Sequence, residues 1–141
     1  MTAKEYLQQI EKLNILITHN IDQLMELKSF GAKAVDYSAD RVQTSPGNSM
    51  ESIVERWVDM EEKLNRMIDE YVDRKYKVIR EIHEIEDTRY IQILYKRYIE
   101  FKSLHKVALE MGYDYKWLCR LHGHALEAFA CVLNNTTKHD T

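Results

Sequence analysis

Lys116 and Arg120 stand four residues apart in the stretch DYKWLCRLHGHAL, a spacing that places both on one face of a helix. A guanidinium offers two parallel N–H donors that match O6 and N7 of guanine, and an ammonium serves a base edge or a phosphate. Arg120 is therefore the expected base reader, with Tyr115, Lys116, Trp117 and His124 on the surrounding outward turns, although Tyr115 and Trp117 read equally as packing for an aromatic cluster. Upstream, Lys102, Ser103 and Lys106 lie where another helix is expected to begin. Two ammonium groups, a hydroxyl and the positive end of a helix suit phosphate, so these three are expected to position a duplex without reading it. The chemistry implied is recognition of a polyanion and not bond making.

Other reactive residues lack the spacing that catalysis or metal binding needs. Cys119, His122, His124 and Cys131 invite a zinc site, but on one continuous helix they point in scattered directions, and no second element with zinc-finger spacing accompanies them. His122 reads better as a packing residue. His83-Glu84 lacks the HExxH spacing, and no Gly-rich phosphate loop follows a strand. The expectation is no metal, no cofactor and no enzyme activity. Two cysteines cannot form a disulfide framework, no apolar run approaches the ~18 residues of a membrane span, and the N-terminus lacks a secretory apolar stretch, so a cytoplasmic protein with no membrane partner is expected.

The charge is uneven along the chain. The formal net charge is -3, yet residues 1–87 hold 12 Lys and Arg against 18 Asp and Glu, whereas 89–126 hold 7 basic residues against 3 acidic. That second segment also carries His105, His122 and His124 and half of the 14 aromatic residues. A basic, aromatic-rich module on an acidic body points to nucleic acid. Protonation of those histidines is expected to raise DNA affinity as pH falls from about 7.5 to 6.

The elements that must position these residues are helical throughout. With 141 residues, 4 Gly and 1 Pro, the chain is too short for a large multidomain enzyme and too poor in turn formers for an all-β fold. Thr2 and Glu5 have capping-box spacing, and Tyr6, Ile10, Leu13, Ile17, Ile21, Leu24 and Leu27 recur at steps of three and four up to Gly31. A loop over 36–49 contains Pro46 and Gly47. A second long helix, capped by Asn48 or Ser49, carries the stripe Ile53, Trp57, Met60, Leu64, Met67 and Tyr71, then Val78, Ile82 and Ile85 after a stutter. At about 45 and 55 Å, two such helices must cover each other, as a long antiparallel hairpin. Its remaining apolar flank predicts a homodimer or higher homo-oligomer.

Three short helices follow. Asp87 or Thr88 caps the first, Ser103 the second and Asp114 the third, while Gly112 ends the second at a turn that needs φ > 0. Val107, Ala108, Met111, Leu118 and Leu121 then form a small core between the last two, a helix-turn-helix. The expected organisation is an all-α chain with an oligomerisation hairpin at 1–86, a DNA-binding head at 87–133 and a disordered tail at 134–141. Gly123, inside the last helix, is expected to serve a close approach of backbone or of a neighbouring helix.

The segment LYKRYIEFKSLHKVALEMGYDYKWLCRLHGHAL resembles the C-terminal, promoter-reading region of bacterial sigma factors, through Leu94, Tyr98, Glu100, Ser103, Leu104, Ala108, Gly112, Leu118, Leu121, His122, Ala125 and Leu126. The likeness covers about a quarter of the chain. With its TAKEYLQQI opening and DRVQTSP loop, the whole chain is similar to small phage and prophage proteins described as sigma-factor-like or as late-gene regulators. The resemblance implies a double-stranded-DNA-binding transcriptional regulator, but not a complete sigma factor, because nothing corresponds to the region that melts the promoter. Tyr115 and Trp117 also stand where sigma factors tend to place small polar or acidic groups. Two alternatives share the architecture: a phage DNA-packaging recognition subunit of small-terminase type, and an interaction protein that docks RNA polymerase.

Overall fold

The computed structural model describes residues 1–38 and 50–139, with side chains for 1–32 and 50–138. Among them every regular element is helical: α1 (Ala3–Ser38), α2 (Met50–His83), α3 (Thr88–Leu94), a π-helical turn (Tyr95–Ile99), α4 (Leu104–Met111) and α5 (Tyr115–His139). The expected caps at Asn48 or Ser49 and most of the 36–49 loop lie outside the described residues.

Local chemistry starts and stops these helices. Glu5 accepts from the Thr2 N–H at 3.1 Å and the Thr2 hydroxyl accepts from the Glu5 N–H at 3.2 Å, closing a capping box. Asp87 caps α3 by accepting from the Arg89 N–H at 2.9 Å, and the Arg89 guanidinium on the same carboxylate holds its pKa below the usual carboxylate range. Ser103 caps α4 through the Lys106 N–H at 3.2 Å. Gly112, at φ 71°, ends α4, and the Tyr113 N–H reaches back to the Ala108 carbonyl at 2.9 Å.

Three boundaries depart from the sequence expectation. α1 continues through Gly31 to Ser38. Gly31 does not terminate the helix; it admits the Trp57 ring, which an added Cβ would approach to 2.9 Å. The segment after Asp87 is not one α-helix, because the Glu100 N–H bonds the Tyr95 carbonyl five residues back and widens the last turn into a π-helix. α5 runs to His139, so 134–139 are helical where a disordered tail is expected; Thr136 and Thr137 bond back to the Val132 and Leu133 carbonyls, and Val132 and Leu133 pack on the core.

Contacts divide the described chain into two compact units that do not follow the composition change at Asp87. One unit comprises Met1–Lys12 and Tyr71–Thr141, the other Leu13–Glu70. In the first, two clusters form the core. Leu7, Ile10, Val78, Ile82, Ile85, Leu94, Tyr98, Ile99, Ala125 and Phe129 make the larger, and Ile93, Val107, Ala108, Leu118 and Leu121 the smaller. Tyr6 donates to the buried Glu81 carboxylate at 2.6 Å. At the break in the α2 stripe stands Lys75, half-buried, its ammonium 5.6 Å from the Tyr71 ring centre. In the second unit, Ile17, Leu24 and Leu64 are buried, whereas Ile21, expected inside, is exposed.

The two structurally accounted glycines make opposite demands. At Gly112 a Cβ would touch nothing, so Gly112→Ala acts through backbone strain alone; a loss of about 1–2 kcal/mol in urea unfolding is expected, with Gly112→Asn losing less. Gly31→Ala acts through the Trp57 ring, and its cost should shrink when Trp57 is replaced by Leu.

Candidate functional site

The outward face of α4, the Gly112 turn and α5 gathers most of the residues singled out by the sequence. The inward line of α5, Leu118, Leu121, Ala125 and Phe129, is buried at steps of three and four. The opposite line is thereby turned out, and Lys116, Arg120, Gly123 and His124 are all exposed. Trp117 is 45% exposed on the adjoining turn. Lys106 is exposed on α4. Among the described residues no carboxylate lies within ion-pair distance of Lys106, Lys116 or Arg120.

Lys102 is placed otherwise. Its ammonium is paired with Glu100 and, at 2.9 Å, with Glu110, which also takes Lys96 at 3.0 Å. Glu100 first and Glu110 second hold the Lys102 ammonium above its ordinary range, and Lys102 and then Lys96 push the Glu110 carboxyl down. Lys102 is thus half-buried among carboxylates, and a phosphate would have to compete with two of them. Ser103 spends its hydroxyl as an acceptor in the α4 cap. The turn that presents both is strained: Phe101 has φ 60°, a region unfavourable for an aromatic residue, and is held there by packing on the larger cluster and by Arg97, which donates to the Lys102 carbonyl at 3.3 Å.

Tyr115 is less available than its position suggests. Its ring stacks on His105 with centroids 3.7 Å apart and planes 4° apart, joining the first turns of α4 and α5. No sequence spacing signals that pair, because the two residues meet only when the helices fold back around Gly112. Leu109, 82% exposed on α4, is a second feature the sequence reading did not single out. His124 lies 3.8 Å from Glu127.

His122 is buried against Tyr98, and the expectation that it packs and the expectation that it titrates near neutrality part here. The rings stack at 5.7 Å, and the phenol, whose pKa burial raises, shares a hydrogen bond with Nε2 at 2.8 Å. Burial first, then the charges of Lys4 and Arg97, lower the imidazole to about 4. His122 therefore adds no charge between pH 7.5 and 6, against the expectation that it does. Gly123 also departs from expectation: a Cβ there would meet no atom of the described chain within 4 Å.

This face is an exposed surface, with Lys106, Lys116, Arg120 and His124 all open to solvent. Cavities of about 370 and 490 Å³ lie elsewhere, one lined by Tyr6, Glu81 and Leu133, the other by Tyr76, Ile91 and Tyr95, and neither includes a residue of the face. Among the described residues no group of three His, Cys, Asp or Glu side chains could hold a metal ion, and no helix is long and apolar enough to cross a membrane.

The depressed His122 has a measurable consequence. Below about pH 6.5 the unfolded chain binds a proton that the folded chain refuses until near pH 4, so stability is lost as pH falls through that window, by up to about 3 kcal/mol. His122→Gln should flatten the decline in urea-unfolding free energy between pH 7 and 5; an unchanged slope would assign it to other groups. Comparison of the chain with protein-family models, curated proteins and solved structures finds no match in any of the three.

Proposed function

We propose that the protein is a sequence-specific, double-stranded-DNA-binding transcriptional regulator of phage or prophage type, in which α4, the Gly112 turn and α5 act as a sigma-like helix-turn-helix. The observation that carries this reading is the outward face of α5. Exposed Lys116 and Arg120 stand four residues apart without carboxylate partners, on a helix whose other face is fully committed to the core. Such a helix fits the major groove, where a guanidinium meets guanine and an ammonium meets a base edge or a phosphate. Lys106 at the first turn of α4 supplies the phosphate contact, a role that Lys102 shares only weakly because of Glu100 and Glu110.

α1 and α2 serve in this reading as an antiparallel hairpin that sets oligomeric state. Within the Leu13–Glu70 unit, Ile15, Leu16, Met25 and Phe30 on α1 and Val58 and Ile68 on α2 remain exposed, an apolar excess that a second copy would cover. A twofold dimer would present two heads to half-sites about one helical turn, or a multiple of it, apart. Light scattering at tens of micromolar should give at least a dimer, and a monodisperse monomer would remove this part of the proposal.

The central test is retention of sheared DNA from the source genome by the purified protein at two salt concentrations. Salt separates the electrostatic background from specific sites. Enrichment upstream of a gene cluster supports the regulator. Enrichment at a packaging locus would assign the head to a packaging subunit, and salt-resistant retention of nothing would point to RNA polymerase as the partner. On a retained site, Arg120→Ala should cost about 1–3 kcal/mol and relax preference at one base pair, whereas Lys106→Ala should weaken all duplexes alike and reduce the salt slope by about 1. Equal losses on every sequence for both variants would refute the division of roles.

A further inference from the structure

Nothing in the described chain accounts for the residue type at Gly123. A glycine inside a helix loosens it relative to alanine, and the usual compensations are a positive φ or a close neighbour. Gly112 has the first, at φ 71°, and Gly31 the second, at 2.9 Å from the Trp57 ring. Gly123 has neither: its backbone is helical, and a Cβ there would meet open space.

Its surroundings indicate what fills that space. Gly123 follows Lys116 by seven residues and Arg120 by three, so the three share one line along α5, with exposed His124 beside them. The first carboxylate along that line is Glu127. A bare stretch of main chain bordered by cations on one side and closed by a carboxylate on the other complements a polyanion over a limited length. A second helix crossing at this glycine would instead want apolar neighbours, which the line lacks.

Building on the DNA-binding reading above, we infer that Gly123 is where the wall of the major groove, its sugar–phosphate backbone, comes into van der Waals contact with the main chain of α5. The missing side chain lets α5 sit deep enough for Lys116 and Arg120 to reach base edges. Glu127, one turn on, repels phosphate and sets the end of the contact. Gly123 is on this account a positioning residue: it reads no base, and it determines the depth from which Arg120 reads.

The test uses the full chain and the duplexes that the wild-type protein retains from a random-sequence pool. Gly123→Ala is expected to raise the melting temperature by about 3–5 °C, since a helix gains a better former. The same substitution should raise the Kd for a retained duplex about tenfold, and Gly123→Leu should raise it further. Asn135→Ala, on an exposed turn of the same helix beyond Glu127, should leave the Kd unchanged. A more stable Gly123→Ala variant that binds as tightly as wild type would overturn the inference. So would a change of mass in light scattering with unchanged Kd, which would assign the contact to another protein chain. If the wild-type protein retains no duplex at all, the DNA-binding reading falls first and takes this inference with it.

Discussion

Everything at the candidate site depends on how α5 is clamped. Leu118, Leu121, Ala125 and Phe129 form one line of the helix, and each is at most 2% exposed. Burying such side chains contributes about 1.5–3 kcal/mol for each large one. Rotating α5 by one residue would withdraw that line from the core and drive Arg120 toward it, where an unpaired charge is expensive. The outward placement of Lys116, Arg120, Gly123 and His124 is therefore a consequence of packing, enforced from the opposite side of the helix.

The clamp draws on distant parts of the chain. Leu7 and Ile10 of α1 and Val78 and Ile82 of α2 belong to the same cluster as Ala125 and Phe129. The basic segment does not bury its own helices unaided, which is why the compact unit reaches back to Met1–Lys12 and Tyr71. The buried Tyr98–His122 pair belongs to the same packing: Tyr98 sits in the larger cluster, and His122 follows Leu121 of the smaller one. A neutral imidazole there satisfies a phenol without bringing charge into the interior.

Packing also decides how much of the basic surplus is available to a ligand. Lys96 and Lys102 are engaged by Glu110 and Glu100, Arg89 by Asp87, and Arg97 by the Lys102 carbonyl while its guanidinium lies 5.6 Å from the Tyr98 ring centre. These solvent-accessible ion pairs add little stability. Their effect is to concentrate unpaired positive charge at Lys106, Lys116 and Arg120, so the electrostatic surface is smaller and more directional than composition alone suggests.

What could be read directly from the amino-acid order was whatever depends on neighbours a turn or two apart: the all-helical class, the Thr2–Glu5 box, the Asp87 and Ser103 caps, the Gly112 stop, and Val107, Leu118 and Leu121 as core. These follow from side chains meeting backbone groups or each other at helical spacing. The tertiary structure alone decided the passage of α1 through Gly31, which answers to Trp57 on another helix, and the stack of His105 on Tyr115. It likewise decided the capture of Lys102 by Glu110 and the neutrality of His122, whose proton affinity is set mainly by burial. Ring stacking, ion pairing and desolvation depend on distances between residues far apart in the chain, and periodicity carries no information about those distances.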